Sequence, residues 1–361
     1  MSRLLLFNLA TDADDPILGF TTVWINRLAA CYDAVDVITM RKGHLSVAEN
    51  VCVYSVGKER GWSEPRRVVE FTRLLGARLS EHRYEACFAH MMPLFAVLGA
   101  AQLKAARLPV TLWYTHRSPH WTVRAALPLV RRVVTAAPDS FPIATPKLRV
   151  LGHGIDTDFF SPNFMLPSLL PKGERQGARA VVHVARLMPI KHQATLIRAI
   201  ANVPETRAVM IGDVPPGKDP GYPAQLSALA AELGTESRVT FAGALPAAGV
   251  RDAYRAAFAA VNLSPPGLFD KAALEAMACA VPTLVTNPAF DDLLAGDEAL
   301  LRTGGPDDVD GLASRLRALL ALSDAERTAL GLRLRERTIA THSLDGLIKR
   351  LVKVLKTGEP T

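Results

Sequence analysis

Aromatic residues are scarce in this chain, 6% of 361, and none is interleaved with its lysines and arginines. The stacking platform of a nucleic-acid binder is therefore missing. Cysteine is rarer still. Cys31, Cys52, Cys87 and Cys279 stand far apart in apolar contexts with no Cys-x-x-Cys pair. That excludes a disulfide framework and a zinc ribbon, and it leads us to expect reduced, packed thiols in a cytoplasmic protein. No apolar run is long enough to span a bilayer. The opening "MSRLLLFNLATDADDP" meets acidic residues within a dozen positions, so a first buried strand is expected rather than a signal peptide. Gly-x-Gly-x-x-Gly does not follow the first strand of either half, which argues against a dinucleotide enzyme. A Ser-His-Asp signature and zinc spacing are also lacking.

What is present is a soluble globular composition, 49% apolar and 21% charged, at a length suited to two domains. Short apolar runs alternate with helical stretches. Strands are expected at 4–9, 35–39, 51–55, 85–89, 110–115, 133–136 and 148–151, and helices at 21–32, 65–83, 94–106 and 122–132. Unalternating strands between helices indicate parallel sheets covered on both faces. A Pro- and Gly-rich stretch, "SPNFMLPSLLPKGERQGARA", reads as a linker. The pattern then restarts, with strands at 180–185, 208–212, 239–242, 259–263 and 283–285 and a last one at 300–302. Helices are expected at 193–201, 224–234, 250–256, 272–280 and 309–320. The expected organisation is two doubly wound α/β domains, 1–160 and 161–343, with a terminal helix, 344–355, that packs back on the first. Ligands of such domains bind at strand carboxyl ends, here in a cleft between the two.

The net charge of +7 sits entirely in the first 150 residues, where 19 Lys+Arg face 12 Asp+Glu; the rest balances at 23 and 23. A basic half suits an anionic membrane or acceptor. Arginine-rich solvated helix faces are the plainer alternative.

In "VVHVARLMPIKHQATLI", Arg186 follows a strand and Lys191 comes five residues later, before a helix. Two cations beside a helix N-terminus form an anion site, because formal charge and free N–H groups agree. Solvated surface residues are again the alternative. Gly212 and Gly243 end two further strands, where the backbone can approach a ligand closely.

Taken in order, "LGHGID", "VARL…K…LIRAI", "VTFAGAL", "YRAAFAAVNLSP" and "LEAMACAVPTLVT" resemble glycosyltransferase family four, retaining enzymes of the GT-B fold, over roughly residues 148–290. "DPILGFTTVWINRLA" and "LPVTLWYTH" extend the resemblance more loosely into the first domain. It implies an amino-terminal domain for the acceptor and a carboxyl-terminal one for a nucleotide sugar. Arg186 and Lys191 match the cations that hold the donor diphosphate, where charge develops as the glycosyl bond breaks. Gly19, Gly212, Gly243 and Ala244 fall at backbone approaches to the donor. Glu275 matches the second acid of the family's Glu-x7-Glu motif, which accepts hydrogen bonds from the ribose hydroxyls. An exposed acid complementing the dipole of a helix start is the alternative.

The first acid of that motif is absent, since Gly267 stands eight residues before Glu275. Asp270 and Lys271 occupy positions where the family usually has glycine and an apolar residue. Asp270 is a candidate substitute acid facing the sugar, and Lys271 a charge near the phosphates; a solvated pair is the alternative. Ala280 replaces the family's more usual glycine, with little effect expected. Three histidines follow strands of the first domain. His116 matches one that the family places beside the donor sugar, and His90 and His120 are acceptor-side candidates. His153 is expected to brace the turn between domains.

Asp12-Ala13-Asp14 and Asp156-Thr157-Asp158 imitate a metal-binding Asp-x-Asp pair. With two cations available for the diphosphate, neither metal nor cofactor is expected. The resemblance implies a metal-independent, retaining transfer of a sugar from a nucleotide diphosphate sugar to a glycan or lipid-linked acceptor. Peripheral association with an anionic membrane is part of that expectation, and nucleic acid is not. The alternative is a sugar-nucleotide-binding protein or a degenerate, non-catalytic subunit.

Overall fold

The computed structural model describes residues 2–15, 18–116, 120–162 and 179–360. Most of the expected linker, 163–178, lies outside the described residues. Two compact units are present, Met1–Gly154 with Leu344–Thr361, and Ile155–Ser343.

The first unit holds strands β1 (Arg3–Thr11), β2 (Ala34–Lys42), β3 (Val51–Ser55), β4 (Ala86–His90), β5 (Val110–Trp113), β6 (Arg132–Thr135) and β7 (Leu148–Val150). All pair in parallel, in the order β3-β2-β1-β4-β5-β6-β7. Its helices are α1 (Phe20–Ala29), α2 (Glu64–Glu81), α3 (Pro93–Leu98), α4 (Ala100–Ala105) and α5 (Trp121–Ala126). Leu4 and Leu6 of β1 join one core with Val35 and Val37. Leu5 and Phe7 join another with Ile38 and Phe71. Successive side chains point to opposite faces, and both faces are covered, so the strand reads as an unbroken apolar run.

In the second unit β8 (Arg179–Val184), β9 (Thr206–Ile211), β10 (Val239–Phe241), β11 (Ala259–Asn262) and β12 (Thr283–Val285) form a parallel sheet ordered β10-β9-β8-β11-β12. The helices are α6 (Gln193–Ala201), α7 (Tyr222–Glu232), α8 (Ala247–Ala256), α9 (Lys271–Ala278), α10 (Asp291–Leu294), α11 (Glu298–Leu301), α12 (Val309–Ala321) and α13 (Asp324–His342). The chain then returns to the first unit as α14 (Leu344–Thr357). There Leu347, Ile348, Leu351, Val354 and Leu355 bury one face at helical spacing beside α1. Four more basic and two more acidic residues arrive with this segment, so the first unit carries +9 and the second −2.

Several sequence expectations need correction. The strand expected at 300–302 is mostly helix: the Asp297 carbonyl accepts from Leu300 and Leu301 N–H, and Arg302 only bridges Val285. The helix expected over 94–106 is divided at Gly99, whose Cβ would lie 2.6 Å from Leu75 Cδ2 of α2. The helix expected over 122–132 stops at Ala126, shortly before Pro128, which has no N–H to donate. Cys31 and Cys52 are exposed, not packed; only Cys87 and Cys279 are buried. Ala280 matters more than expected, because its φ of +59° is left-handed. A residue with a Cβ costs about 1–2 kcal/mol there. Missing from the sequence reading was α13, although its start is a capping box, with Ser323 and Glu326 bonded reciprocally.

Candidate active site

In the second sheet the chain runs outward from β8 to β9 and β10, then crosses to place β11 on the other side of β8. That reversal opens a crevice at the carboxyl ends of β8 and β11, where ligands of open α/β sheets bind. Lys191 spans it. It closes the turn Pro189–Lys191 ahead of α6, is 6% exposed, and reaches Ser264 beyond β11. Its Nζ donates to Ser264 Oγ at 3.0 Å and lies 2.6 Å from Asp270 Oδ2. Asn262 Nδ2 donates to the same Oδ2 at 3.1 Å, and the Ser264 hydroxyl also bonds it. Asp270 stands at the N-cap position of α9 but makes no side-chain cap bond. Burial alone would raise its pKa; the Lys191 ammonium and the Ser264 and Asn262 donors outweigh it and hold the carboxyl below its usual range. Its side chain is 25% exposed.

Arg186 is brought to the same edge. Ala185 N–H donates to Ile211 at 3.0 Å and Leu187 N–H to Asp213 at 3.0 Å, so the backbone on both sides of Arg186 is fixed while its side chain is exposed. Gly212 lies between those acceptors with φ +141°, and a Cβ there would sit 2.1 Å from the Ala185 carbonyl oxygen. No side chain fits. Gly212 N–H donates to the Gly243 carbonyl at 2.9 Å, and Gly243 has φ +68°. Ala244 follows it, exposed. Arg186, Lys191, Gly212, Gly243 and Asp270 therefore share one sheet edge.

Glu275 lies in the second turn of α9, not the first, and four residues before it is Lys271. Both are half-buried. Burial raises the Glu275 pKa, with Lys271 opposing. The same burial pulls Lys271 down to about 8 against the attraction of Glu275. Gly267, where the family's acid would stand, has φ +86°. A glutamate would be strained at that angle.

Beneath Lys191 lies His183 of β8, 1% exposed, with no hydrogen-bond partner for either ring nitrogen among the described residues. Burial, with Lys191 and His192 adding repulsion and Asp270 opposing, lowers its pKa to about 4 from 6.5. Between those values the unfolded chain takes up a proton that the folded chain refuses, so stability falls as pH falls through this window. The loss at full protonation is about 3 kcal/mol. Urea unfolding at pH 5 and pH 7 should show a smaller pH difference in His183→Leu than in the wild type. An equal difference would remove His183 as its source.

The first sheet reverses between β1 and β4. A cleft of about 400 Å³ lies there, lined by segments following β1, β4 and β5. His90, His116 and His120 all line it, with Tyr114, Thr21 and Thr122. His90 is buried in aromatic rings, its centroid 5.0 Å from Trp24 and 6.3 Å from Trp113. His116 is exposed, with its ring 5.7 Å from Tyr114. His120 caps α5, its Nδ1 3.1 Å from Thr122 Oγ1. Met91 has φ +53° directly after β4, and His192 the same angle directly after Lys191. Strained residues thus mark both edges, as at ligand sites elsewhere.

Gly19 closes on its own loop: a Cβ would lie 2.7 Å from the Asp15 carbonyl oxygen. Asp12 accepts from the N–H groups of Asp14 and His44 and faces Arg41. Asp14 pairs with His44 at 3.2 Å. Asp156 accepts from Phe159 N–H within its turn, and His153 is buried. Sequence reasoning missed Asn262, Ser264 and His183. The first two stand at i and i+2 across the end of β11, a spacing that puts them on one face and could have pointed to them.

Residues 178–322 match the family described as Glycosyl transferases group 1, a span that includes Arg186, Lys191, Gly212, Gly243 and Glu275. A D-inositol 3-phosphate glycosyltransferase of Mycobacteroides abscessus is 30% identical over 138 residues, 38% of this chain and 31% of the relative. This chain therefore matches about a third of that relative's length. HepE of Anabaena, solved in complex with UDP and glucose, has a TM-score of 0.75 at 20% identity over 99% of this chain and 100% of that one. Sucrose-phosphate synthase of Thermosynechococcus elongatus has 0.77 at 18% identity over 98% of each. The fold is that of the GT-B glycosyltransferase structures, two parallel-sheet α/β domains.

Proposed function

We propose that this protein is a metal-independent, retaining glycosyltransferase that moves a sugar from a nucleotide diphosphate sugar to an acceptor hydroxyl. The observation that carries the reading is the basic pair at the switch point of the second sheet: Lys191 buried across β8 and β11, and Arg186 exposed beside it. Fixed cations there stabilise the charge that grows on a leaving diphosphate. Gly212, Gly243 and Ala244 let the backbone approach the donor, and Glu275 accepts from the ribose hydroxyls. Lys271, on the same helix, adds charge near the phosphates.

Asp270 serves twice. Its Oδ2 receives Lys191, Asn262 and Ser264, while Oδ1 takes a hydroxyl of the transferred sugar. His116 takes another. The acceptor oxygen bonds to the anomeric carbon on the face the diphosphate leaves. Its proton passes to a leaving phosphate oxygen, and the carbon–oxygen bond to phosphate breaks. No protein nucleophile is needed.

Thermal unfolding with a panel of nucleoside diphosphates is the first test, since a ligand at 100 times its Kd stabilises by about 2.7 kcal/mol. Donor hydrolysis or transfer in the presence of a chelator follows. No stabilisation by any nucleotide would end the reading. Stabilisation without turnover under any acceptor would favour a non-catalytic sugar-nucleotide binder, which the absent acid at Gly267 also suits.

Among the described residues no helix is long and apolar enough to cross a membrane. The +9 of the first unit instead supports peripheral attachment to an anionic cytoplasmic surface. Sedimentation with phosphatidylserine vesicles should fall steeply as salt rises through the screening range. Equal sedimentation with neutral vesicles would leave the basic unit as ordinary surface.

A further inference from the structure

The strands of the first sheet are parallel, so the loops ahead of β4 and β5 lie at its amino edge, at the far end of those strands from the histidine cleft. A cavity of about 620 Å³ lies there, formed by residues 79–84 at the end of α2 and 105–108 at the end of α4. That is the size of a small-molecule site. One wall is Tyr84, whose hydroxyl donates to Asp36 Oδ2 at 2.6 Å. Arg3 Nη1 donates to the same oxygen at 2.8 Å, and Asp36 is buried. A buried carboxylate with two such donors fixes the wall. Arg83 and Arg107 both line the cavity, are exposed, and have no ion-pair partner among the described residues. Glu81 lines it too, but its carboxylate lies 2.6 Å from Arg78 Nη2. Arg107 stands where arginine is costly. Leu108 N–H donates to the Leu103 carbonyl at 2.9 Å and Arg107 N–H to that of Lys104 at 3.0 Å, the left-handed turn that glycine usually supplies at a helix end. Its φ is +54°, which a residue with a Cβ adopts at a cost. The carbonyls of Ser80, Glu81, Ala105 and Ala106 accept no hydrogen bond among the described residues. Such helix-end carbonyls repel an anion and accept from hydroxyl groups.

We infer that this cavity is a second small-molecule site, which takes a phosphate monoester of a sugar or other polyol. The phosphate lies with Arg83 and Arg107, because planar guanidinium groups match its oxygens in pairs. The hydroxyls lie with Ser80 and with the carbonyls that end α2 and α4. Arginine at position 107 is then explained by what its side chain holds, since the turn itself favours glycine. β4 and β5 run from this site to the histidine cleft at their other ends, so its ligand is an effector and not a reactant. The inference stands on the lining of this cavity and is independent of the transferase reading.

The test is calorimetric titration of the full chain with glucose 6-phosphate at low ionic strength, where exposed arginines are least screened. Binding is expected to be tighter than that of inorganic phosphate, and glucose alone is expected not to bind. Arg107→Gly should weaken glucose 6-phosphate about tenfold or more, the loss of a charge-assisted hydrogen bond. The same variant should raise the urea midpoint, because glycine relieves the left-handed angle. Arg83→Gln, at an exposed position outside the helices, should lose affinity comparably. Arg186→Ala should bind as the wild type does, which separates this site from the cations of the second unit. No binding, wild-type affinity in both Arg107→Gly and Arg83→Gln, no preference over inorganic phosphate, or loss in Arg186→Ala alone would each overturn the inference. Nucleoside diphosphate binding is read separately, so failure here and failure of the transferase reading are distinguishable.

Discussion

Lys191→Ala is expected to lower sugar transfer by about two to three orders of magnitude, the loss of one charge-assisted contact to a developing anion, about 3–4 kcal/mol. It should also destabilise the fold, because Asp270, Ser264 and Asn262 all converge where its ammonium sits. Removing one partner of a buried pair costs about 3–5 kcal/mol, and a side chain 25% exposed places Asp270 below that range. The two effects separate in the double variant Lys191→Ala, Asp270→Asn. Discarding the stranded charge should restore much of the urea midpoint without restoring transfer. Arg186→Ala should lose transfer comparably while unfolding like the wild type, since its side chain is exposed and its position is set by backbone bonds of its neighbours. Near-normal turnover in either single variant would sink the donor site.

The next largest effect should separate the two acids of the second unit. Asp270→Ala is expected to cut transfer strongly yet leave nucleoside diphosphate affinity unchanged or slightly higher. Its sugar contact is gone, and the diphosphate no longer competes with a carboxylate 2.6 Å from Lys191. Glu275→Ala should weaken the nucleotide itself by about tenfold or more, because hydrogen bonds to a charged acceptor contribute about 1.5–3 kcal/mol. Calorimetry with nucleoside diphosphate alone, beside a rate assay with the sugar nucleotide, distinguishes them. Full activity in Asp270→Ala would mean that nothing replaces the acid missing at 267. Weaker nucleotide binding in that variant would instead make Asp270 a support for Lys191 only.

That Arg186, Gly212 and Gly243 stand at strand ends, with Lys191 in the turn after the first of them, could be read from the sequence because the apolar runs end there, and strand ends are the places where parallel sheets expose ligand sites. The runs themselves were legible because both faces of both sheets are buried, leaving little but apolar residues in them. Boundaries failed where a local cause was hidden. At Gly99 a helical pattern is divided where α2 leaves no room for a side chain, and Ala280 holds a left-handed angle that its residue type does not announce. The helix α13 was missed for another reason: its 19 residues bury few apolar side chains, so its periodic signal is weak.

The order of chemistry along the chain was thus fixed locally, by strand ends, turn residues and the absence of an acid at 267. Which oxygen faces which ammonium was not. Lys191 and Asp270 are 79 positions apart and meet only because β11 crosses to the far side of β8. His90, His116 and His120 share one cleft because β4 and β5 lie side by side. Periodicity and spacing report neighbours along the chain; contacts across a sheet depend on strand order, a property of the folded backbone that the hydrophobic pattern does not encode.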